Sequence, residues 1–366
     1  MPYFSMLIKP ASSLCNMRCK YCFYADVSDS RAVKSYGVMT GDTARLLIDR
    51  GLEQVGQKGT LHFAFQGGEP TLAGLPFFED FAAYAAARKP TGVKIEYSIQ
   101  TNGYLLDDDW CRLFKQYGFL VGLSFDGTPD LHDFLRLDSA GAGTAKRVLA
   151  AARRMDAQGV DHNILTVITR QAAKHPRQIF TFLRKSGFGF VQFIPCLPPF
   201  EKDGTPPAYA LPPRLYASFL KEAFALWRDA LLDGTYISVR LFDNLTRMAA
   251  GGPPEQCGML GRCQAQFVVE ADGGVYPCDF YVLDEYRMGS IQQADFAALI
   301  KSPALAAFLQ PRPRNPRCDA CPFLPICGGG CRRYRDFYFS EEGYCPYADF
   351  LAACWPDIRR LAAQLR

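Results

Sequence analysis

Histidine is nearly missing, with 4 in 366 residues. So few imidazoles leave little with which to complete a histidine-containing zinc site. An excess of charge is absent too. Lys and Arg number 41 against 37 Asp and Glu, a net charge of +4 with no Lys/Arg block, which argues against nucleic acid or anionic membrane as a partner. No apolar run is long enough for a membrane span. The start, MPYFSMLIKP, lacks the basic region, apolar stretch and small-residue cleavage site of a signal peptide. The expectation is a cytoplasmic protein. Its length suits one large α/β barrel or roughly two to three domains, with a core that folds without disulfides.

Cysteine, by contrast, is in excess, with 14 residues. A cytosolic chain keeps its thiols reduced, so metal or iron–sulfur ligation is the better explanation than a disulfide framework. Cys15, Cys19 and Cys22 lie near the start, and most of the rest follow residue 256, with only Cys111 and Cys196 between.

From residue 1 to 245, short β-branched or aromatic runs alternate with longer amphipathic stretches, the pattern of βα units around a parallel sheet. Strands are predicted at 4–9, 61–66, 94–100, 119–125, 161–168, 188–194 and 236–242. Helices are predicted at 40–56, 75–88, 107–117, 142–158, 175–186 and 213–232, several closed by glycine, as at Gly118 and Gly159. Polar turns follow the strands directly, at Gln66-Gly67-Gly68-Glu69-Pro70, Gln100-Thr101-Asn102-Gly103 and Ser124-Phe125-Asp126-Gly127. Those strand ends are where a parallel barrel builds its site. After residue 245 the composition turns to Gly, Pro and Cys, and Gly251-Gly252-Pro253-Pro254 marks a boundary, so domains are placed at 1–245 and 246–366. In the second, 266–271 and 275–278 flank Asp272-Gly273-Gly274 as a β-hairpin, and a helix closes the chain near 346–365.

Cys15-x3-Cys19-x2-Cys22 follows the first strand. Three thiolates leave a position open, as a [4Fe–4S] cluster bound by three cysteines leaves one iron for an outside ligand. A zinc knuckle completed by a distant residue is the alternative. Cys257, Cys263, Cys278, Cys318, Cys321, Cys327, Cys331 and Cys345 suffice for two four-thiolate sites, zinc or iron–sulfur on spacing alone. Cys111, Cys196 and Cys354 are left as packing thiols.

With Tyr21 before the third cysteine and Gly67-Gly68-Glu69-Pro70 after the next strand, the sequence resembles the radical S-adenosylmethionine superfamily. The resemblance implies a partial (β/α)6 TIM-like barrel and a cluster on Cys15, Cys19 and Cys22 that binds S-adenosylmethionine at its open iron. It places Tyr21, Gly67, Gly68 and Glu69 beside that cofactor, Ser124 at its ribose and Arg136 at its methionine carboxylate. The run from Cys263 to Cys345 resembles the SPASM extension, with Cys257 as an eighth ligand. By that likeness Cys257, Cys263, Cys278 and Cys331 hold one auxiliary [4Fe–4S] cluster, and Cys318, Cys321, Cys327 and Cys345 a second.

Longer stretches narrow the likeness. Leu7-Ile8-Lys9-Pro10-Ala11-Ser12-Ser13, Cys22-Phe23-Tyr24, Ala64 to Gly74 and Tyr276-Pro277-Cys278-Asp279-Phe280-Tyr281-Val282 resemble the anaerobic sulfatase-maturating enzymes. That family implies oxidation of one Cys or Ser in a sulfatase Cys/Ser-x-Pro-x-Arg motif to Cα-formylglycine, through hydrogen abstraction at Cβ by a 5′-deoxyadenosyl radical. Asp279 matches its general base, and Tyr24 and Gln66 would position the peptide. The implied partners are an unfolded or nascent sulfatase polypeptide and an electron donor such as flavodoxin or ferredoxin, for a monomeric enzyme. One rival is a radical maturase that crosslinks a ribosomally made peptide, which would carry a leader-recognition domain before the first motif at residue 15. Another is a non-catalytic zinc scaffold. Three clusters predict about twelve irons per chain, four per cluster, of which about one third should disappear when Cys15, Cys19 and Cys22 are all replaced by Ala. Zinc in place of the missing iron, or no loss at all, would contradict the ligand assignment.

Overall fold

Alternating burial builds the strands. In Lys58–Phe65 every second residue from Gly59 onward is buried, with Leu61, Phe63 and Phe65 on one face. Such a period of two places one side of a strand in the core. The computed structural model describes residues 2–200, 205–311 and 313–364. Its strands, in chain order, are β1 (Tyr3–Ile8), β2 (Lys58–Phe65), β3 (Gly92–Thr101), β4 (Phe119–Ser124), β5 (His162–Ile168), β6 (Phe190–Pro195), β7 (Ser238–Val239), β8 (Val268–Val269), β9 (Gly274–Tyr276) and β10 (Gly289–Ser290).

The chain forms two compact units that interleave along the sequence. Met1–Ser124, Arg136–His162 and Gln264–Gln310 make one; Phe125–Leu135, Asn163–Cys263 and Pro311–Arg366 make the other. None of their boundaries along the chain coincides with the cut at 245/246, which remains a division by composition.

In the first unit β1, β2, β3 and β4 run parallel side by side. Phe63, Phe65, Phe78, Phe81, Tyr97 and Phe119 interlock beneath them, largely edge to face. Such aromatic pairs are each worth about 0.5–1.5 kcal/mol beyond their buried area. The other edge of β1 carries β8 in parallel, Leu7 opposite Val268 and Ile8 opposite Val269. β8 turns through Asp272 and Gly273 into antiparallel β9, and β10 lies on β9. The turn is held by Asp272 Oδ1, which accepts from Gly274 N at 2.9 Å, while Gly273 takes φ +81°. The expected hairpin is therefore present, and its partner strand is β1. A segment some 260 residues downstream is thus brought beside the first loop of the chain.

In the second unit β5, β6 and β7 are parallel. Pro346–Ala363 packs on Pro213–Leu232 and Arg240–Ala249 through Phe350 against Phe224 and Phe242. The strand expected at 236–242 is a correction: only Ser238–Val239 is extended, and the chain then turns into the helix Arg240–Ala249. Leu241, Phe242 and Leu245 are buried there, a helical spacing that overrides the short apolar run. The helices Phe23–Asp29 and Pro129–Leu135 were not predicted. Residue 365 of the expected last helix lies outside the described residues.

Candidate active site

The loop after β1 folds back on itself so that its cysteines converge. Cys22 N donates to Cys19 O at 3.2 Å and Met17 N to Cys15 Sγ at 3.4 Å, while Cys22 starts the helix Phe23–Asp29. Burial, with Glu69, Cys19 and Cys22 nearby, pushes the Cys15 thiol up to about 12. Such a thiol stays protonated until a cation displaces its proton. Arg18 N bonds Leu137 O at 2.7 Å, anchoring the loop to the segment that carries Arg136. The Arg136 guanidinium lies 3.8 Å from Cys19 Sγ and over the Tyr21 ring at 5.5 Å. Arg136, Tyr21 and Cys19 are thus together, and Ser124 is buried at the end of β4.

The glycine-rich turn after β2 explains itself by contact with this loop. Gly68 N donates to Ser12 O and Glu69 N to Leu14 O, both at 2.8 Å. A Cβ on Gly68 would lie 2.2 Å from Leu14 O, and one on Gly67, at φ +139°, 2.9 Å from Ser12 O. The two glycines therefore admit the backbone of the cysteine loop, a requirement beyond the cofactor approach for which they were singled out. Ser12 accommodates the same crossing at φ +49°. Glu69 is buried behind the turn, where its carboxylate accepts from Thr71 N (3.1 Å), Thr71 Oγ1 (2.7 Å), Thr101 Oγ1 (2.7 Å) and Asn102 N (2.7 Å). Burial pushes its pKa up in spite of these donors. Asn102 Nδ2 reaches Cys15 Sγ at 3.9 Å, so the turns after β2 and β3 meet at the cysteine loop.

A second constellation lies where β1 meets the hairpin. Lys9, wholly buried, donates to Asp279 Oδ1 at 2.5 Å, and Gln66 Nε2 donates to Asp279 Oδ2 at 2.7 Å. The Lys9 ammonium also stands over the Tyr24 ring, 3.8 Å from its centre. The Tyr24 hydroxyl donates to Glu270 Oε1, which takes a further bond from Arg31 Nη1 at 2.6 Å. Burial and then Glu270 hold the Tyr24 phenol far above its ordinary pKa, so it remains a neutral donor. Asp279, Gln66 and Tyr24, singled out from the sequence, are in one network. Lys9, Arg31 and Glu270 were missed. The available signal was charge inside apolar strand ends, Lys9 after Leu7-Ile8 and Glu270 after Val268-Val269.

In the second unit Cys318, Cys321, Cys327 and Cys345 line a cavity of about 390 Å³ together with Phe323 and Tyr347. The four cysteines line one cavity, and four thiolates are the donor set of a [4Fe–4S] cluster. Cys257 is exposed and has Cys331 and Cys263 as neighbours. Gly258 passes so close that its Cβ would lie 3.1 Å from Cys331 Cβ. Cys278, the fourth residue assigned to that set, ends the hairpin of the first unit, directly before Asp279. Cys111, Cys196 and Cys354 are buried apart from these sets.

Residues 10–183 match the radical SAM superfamily, and residues 257–322 match an iron–sulfur cluster-binding domain, SPASM. With the three-cysteine loop and the four-thiol cavity, these matches define the class: a radical S-adenosylmethionine enzyme with a cluster-binding extension on an α/β fold. The chain is 41% identical over 333 residues to the cysteine-type anaerobic sulfatase-maturating enzyme of Clostridium novyi, covering 91% of this chain and 88% of that one. It is 40% identical over 375 residues to the cysteine-type enzyme of Clostridium perfringens, covering all of both. The solved structure of native anSMEcpe with bound AdoMet and Cp18Cys peptide superimposes with a TM-score of 0.91 at 38% identity over the whole of both chains. The chain belongs to the family of anaerobic sulfatase-maturating enzymes.

Two outcomes follow from the turn. Gly68→Ala should displace the cysteine loop and cost about four of the twelve irons, one cluster's worth, measured by iron assay on anaerobically reconstituted protein; full iron would show that the loop yields without consequence. Glu69→Ala should retain its iron and bind S-adenosylmethionine more weakly. Unchanged cofactor affinity in a calorimetric titration would assign Glu69 to bracing the turn alone.

Proposed function

We propose that the protein oxidises one cysteine, in a sulfatase Cys-x-Pro-x-Arg motif, to Cα-formylglycine, with serine in the same motif as the alternative substrate. The observation that carries this reading is Asp279, fixed on both oxygens by Lys9 and Gln66 in the same compact unit as the Cys15, Cys19 and Cys22 loop. The full-length likeness to cysteine-type enzymes supports cysteine as the target.

When bound, three [4Fe–4S] clusters and S-adenosylmethionine supply a 5′-deoxyadenosyl radical that takes one Cβ hydrogen, and a path by which a second electron leaves. Cys15, Cys19 and Cys22 hold the first cluster, with Tyr21, Gly67, Gly68, Glu69, Ser124 and Arg136 around the cofactor. By the family likeness Cys257, Cys263, Cys278 and Cys331 would hold the first auxiliary cluster, and Cys318, Cys321, Cys327 and Cys345 the second. Asp279 takes the thiol or hydroxyl proton. Each carboxylate oxygen has two acceptor positions, so Oδ2 keeps one free beside its bond from Gln66. Lys9 holds the other oxygen and fixes the direction of the carboxylate. Gln66 and Tyr24 position the peptide. Loss of one hydrogen atom, one proton and one electron leaves a thioaldehyde from Cys, which water converts to the aldehyde with release of sulfide, or the aldehyde directly from Ser.

The barrel portion is 1–245 and the cluster-binding extension 246–366. The substrate is an unfolded or nascent sulfatase polypeptide, because the motif must enter as an extended peptide. A flavodoxin or ferredoxin donates the electron, and the enzyme works as a monomer in the cytoplasm. Among the described residues no helix is long and apolar enough to cross a membrane.

Anaerobic incubation with S-adenosylmethionine, a reductant and a peptide bearing the motif should give the formylglycine peptide by mass spectrometry. A crosslinked peptide in its place would favour the rival maturase. Asp279→Asn should keep its iron and still release 5′-deoxyadenosine, yet form formylglycine about a hundred- to ten-thousand-fold more slowly, the usual share of a general base. Near wild-type yield with full iron would reduce Asp279 to a turn residue.

A further inference from the structure

The Tyr347 hydroxyl is buried without a hydrogen-bond partner among the described residues, on a residue only 6% exposed. An orphaned buried hydroxyl costs about 1–3 kcal/mol, and such groups call for a missing partner. Tyr347 lines the four-thiol cavity, its ring stacks on Tyr338 at 6.0 Å, and its hydroxyl has Tyr216, Cys327 and Cys345 as neighbours. Burial raises the thiols of Cys318, Cys327 and Cys345, and several groups nearby act against it. Gly329 N donates to Cys327 Sγ at 3.4 Å. The backbone N–H groups of Tyr347 and Ala348 point at Cys345, which stands at the N-terminus of the helix Pro346–Ala363. Arg317 acts on Cys345 and Arg335 on Cys318.

We propose that Tyr347 donates an O–H···S hydrogen bond to the cluster held by Cys318, Cys321, Cys327 and Cys345, and that this bond raises the reduction potential of that cluster. The inference rests on the cluster reading above. Sulfur is the acceptor a filled cavity would offer, and donors to cluster sulfur stabilise the more negative, reduced state. Tyr347 would then act twice, through its main-chain N–H on Cys345 and through its hydroxyl. Its electronic effect would make the second auxiliary cluster the better sink for an electron leaving the substrate.

Tyr347→Phe removes the hydroxyl and keeps the ring. Anaerobically reconstituted full-length enzyme should still hold about twelve irons, four per cluster. In a potentiometric titration read by electron paramagnetic resonance, the signal perturbed by S-adenosylmethionine should keep its midpoint. One of the two other midpoints should become more negative. At its wild-type midpoint the ratio of reduced to oxidised cluster should fall about tenfold, a shift of about 59 mV for one electron. The Fe–S stretching modes should also lose part of their sensitivity to exchange of H2O for D2O. Full iron with all midpoints and the exchange sensitivity unmoved would overturn the proposal. Loss of about four irons would overturn it as well, because the hydroxyl would then be supporting the pocket. Zinc in place of iron in the wild-type protein would overturn the cluster reading itself, a result visible before any variant is made.

Discussion

Two buried ion pairs govern the arrangement of the first unit. Lys9 with Asp279, and Arg31 with Glu270, bring four charged groups out of water, and the Tyr24 ring and hydroxyl join one pair to the other. Removing one member of such a pair leaves a buried charge uncompensated, at about 3–5 kcal/mol, so each group dictates where its partner must be. Lys9 follows β1 and Arg31 follows the helix Phe23–Asp29, while Glu270 follows β8 and Asp279 comes shortly after β9. The parallel pairing of β8 with β1, extended by the bond from Lys9 N to Val269 O at 2.9 Å, is the backbone counterpart of the same junction. The Asp279 carboxylate is thereby held by the segment that leads into Cys15, Cys19 and Cys22.

A second constraint works at shorter range. The crossing of Gly67 and Gly68 over Ser12 and Leu14 leaves no room for a side chain, and it locks the strand-end turn to the cysteine loop. Glu69 is then committed to the interior, bonded by the neighbouring turn at Thr101 and Asn102. The cysteine loop, Glu69 and Gln66 are placed by a few residues at the ends of β1, β2 and β3, consistent with the rule that parallel sheets assemble sites at their carboxyl ends.

Much of this was legible in the sequence. The first six strands could be read from their alternating or apolar runs, and Gly118 and Gly159 closed their helices in the left-handed conformation as expected. Cysteine spacing singled out candidate ligands, because ligation demands sulfur at close sequence intervals, while their grouping into sets came from the resemblance. What was not legible depended on contacts between distant segments. Nothing local marks Lys9 or Glu270 as partners of residues some 270 and 240 positions away. The strand expected over 236–242 failed because an apolar run of that length suits a strand or a buried helix alike, and packing of Leu241, Phe242 and Leu245 decided it. The orphan hydroxyl of Tyr347 could not be seen at all without its surroundings.

The central claim is that the residue held before Asp279 loses a Cβ hydrogen to the adenosyl radical. A motif peptide carrying cysteine deuterated at Cβ tests it most directly. Under anaerobic turnover the account predicts deuterium in the 5′-deoxyadenosine, in step with formation of formylglycine. Formylglycine accompanied by 5′-deoxyadenosine that carries no deuterium would contradict it.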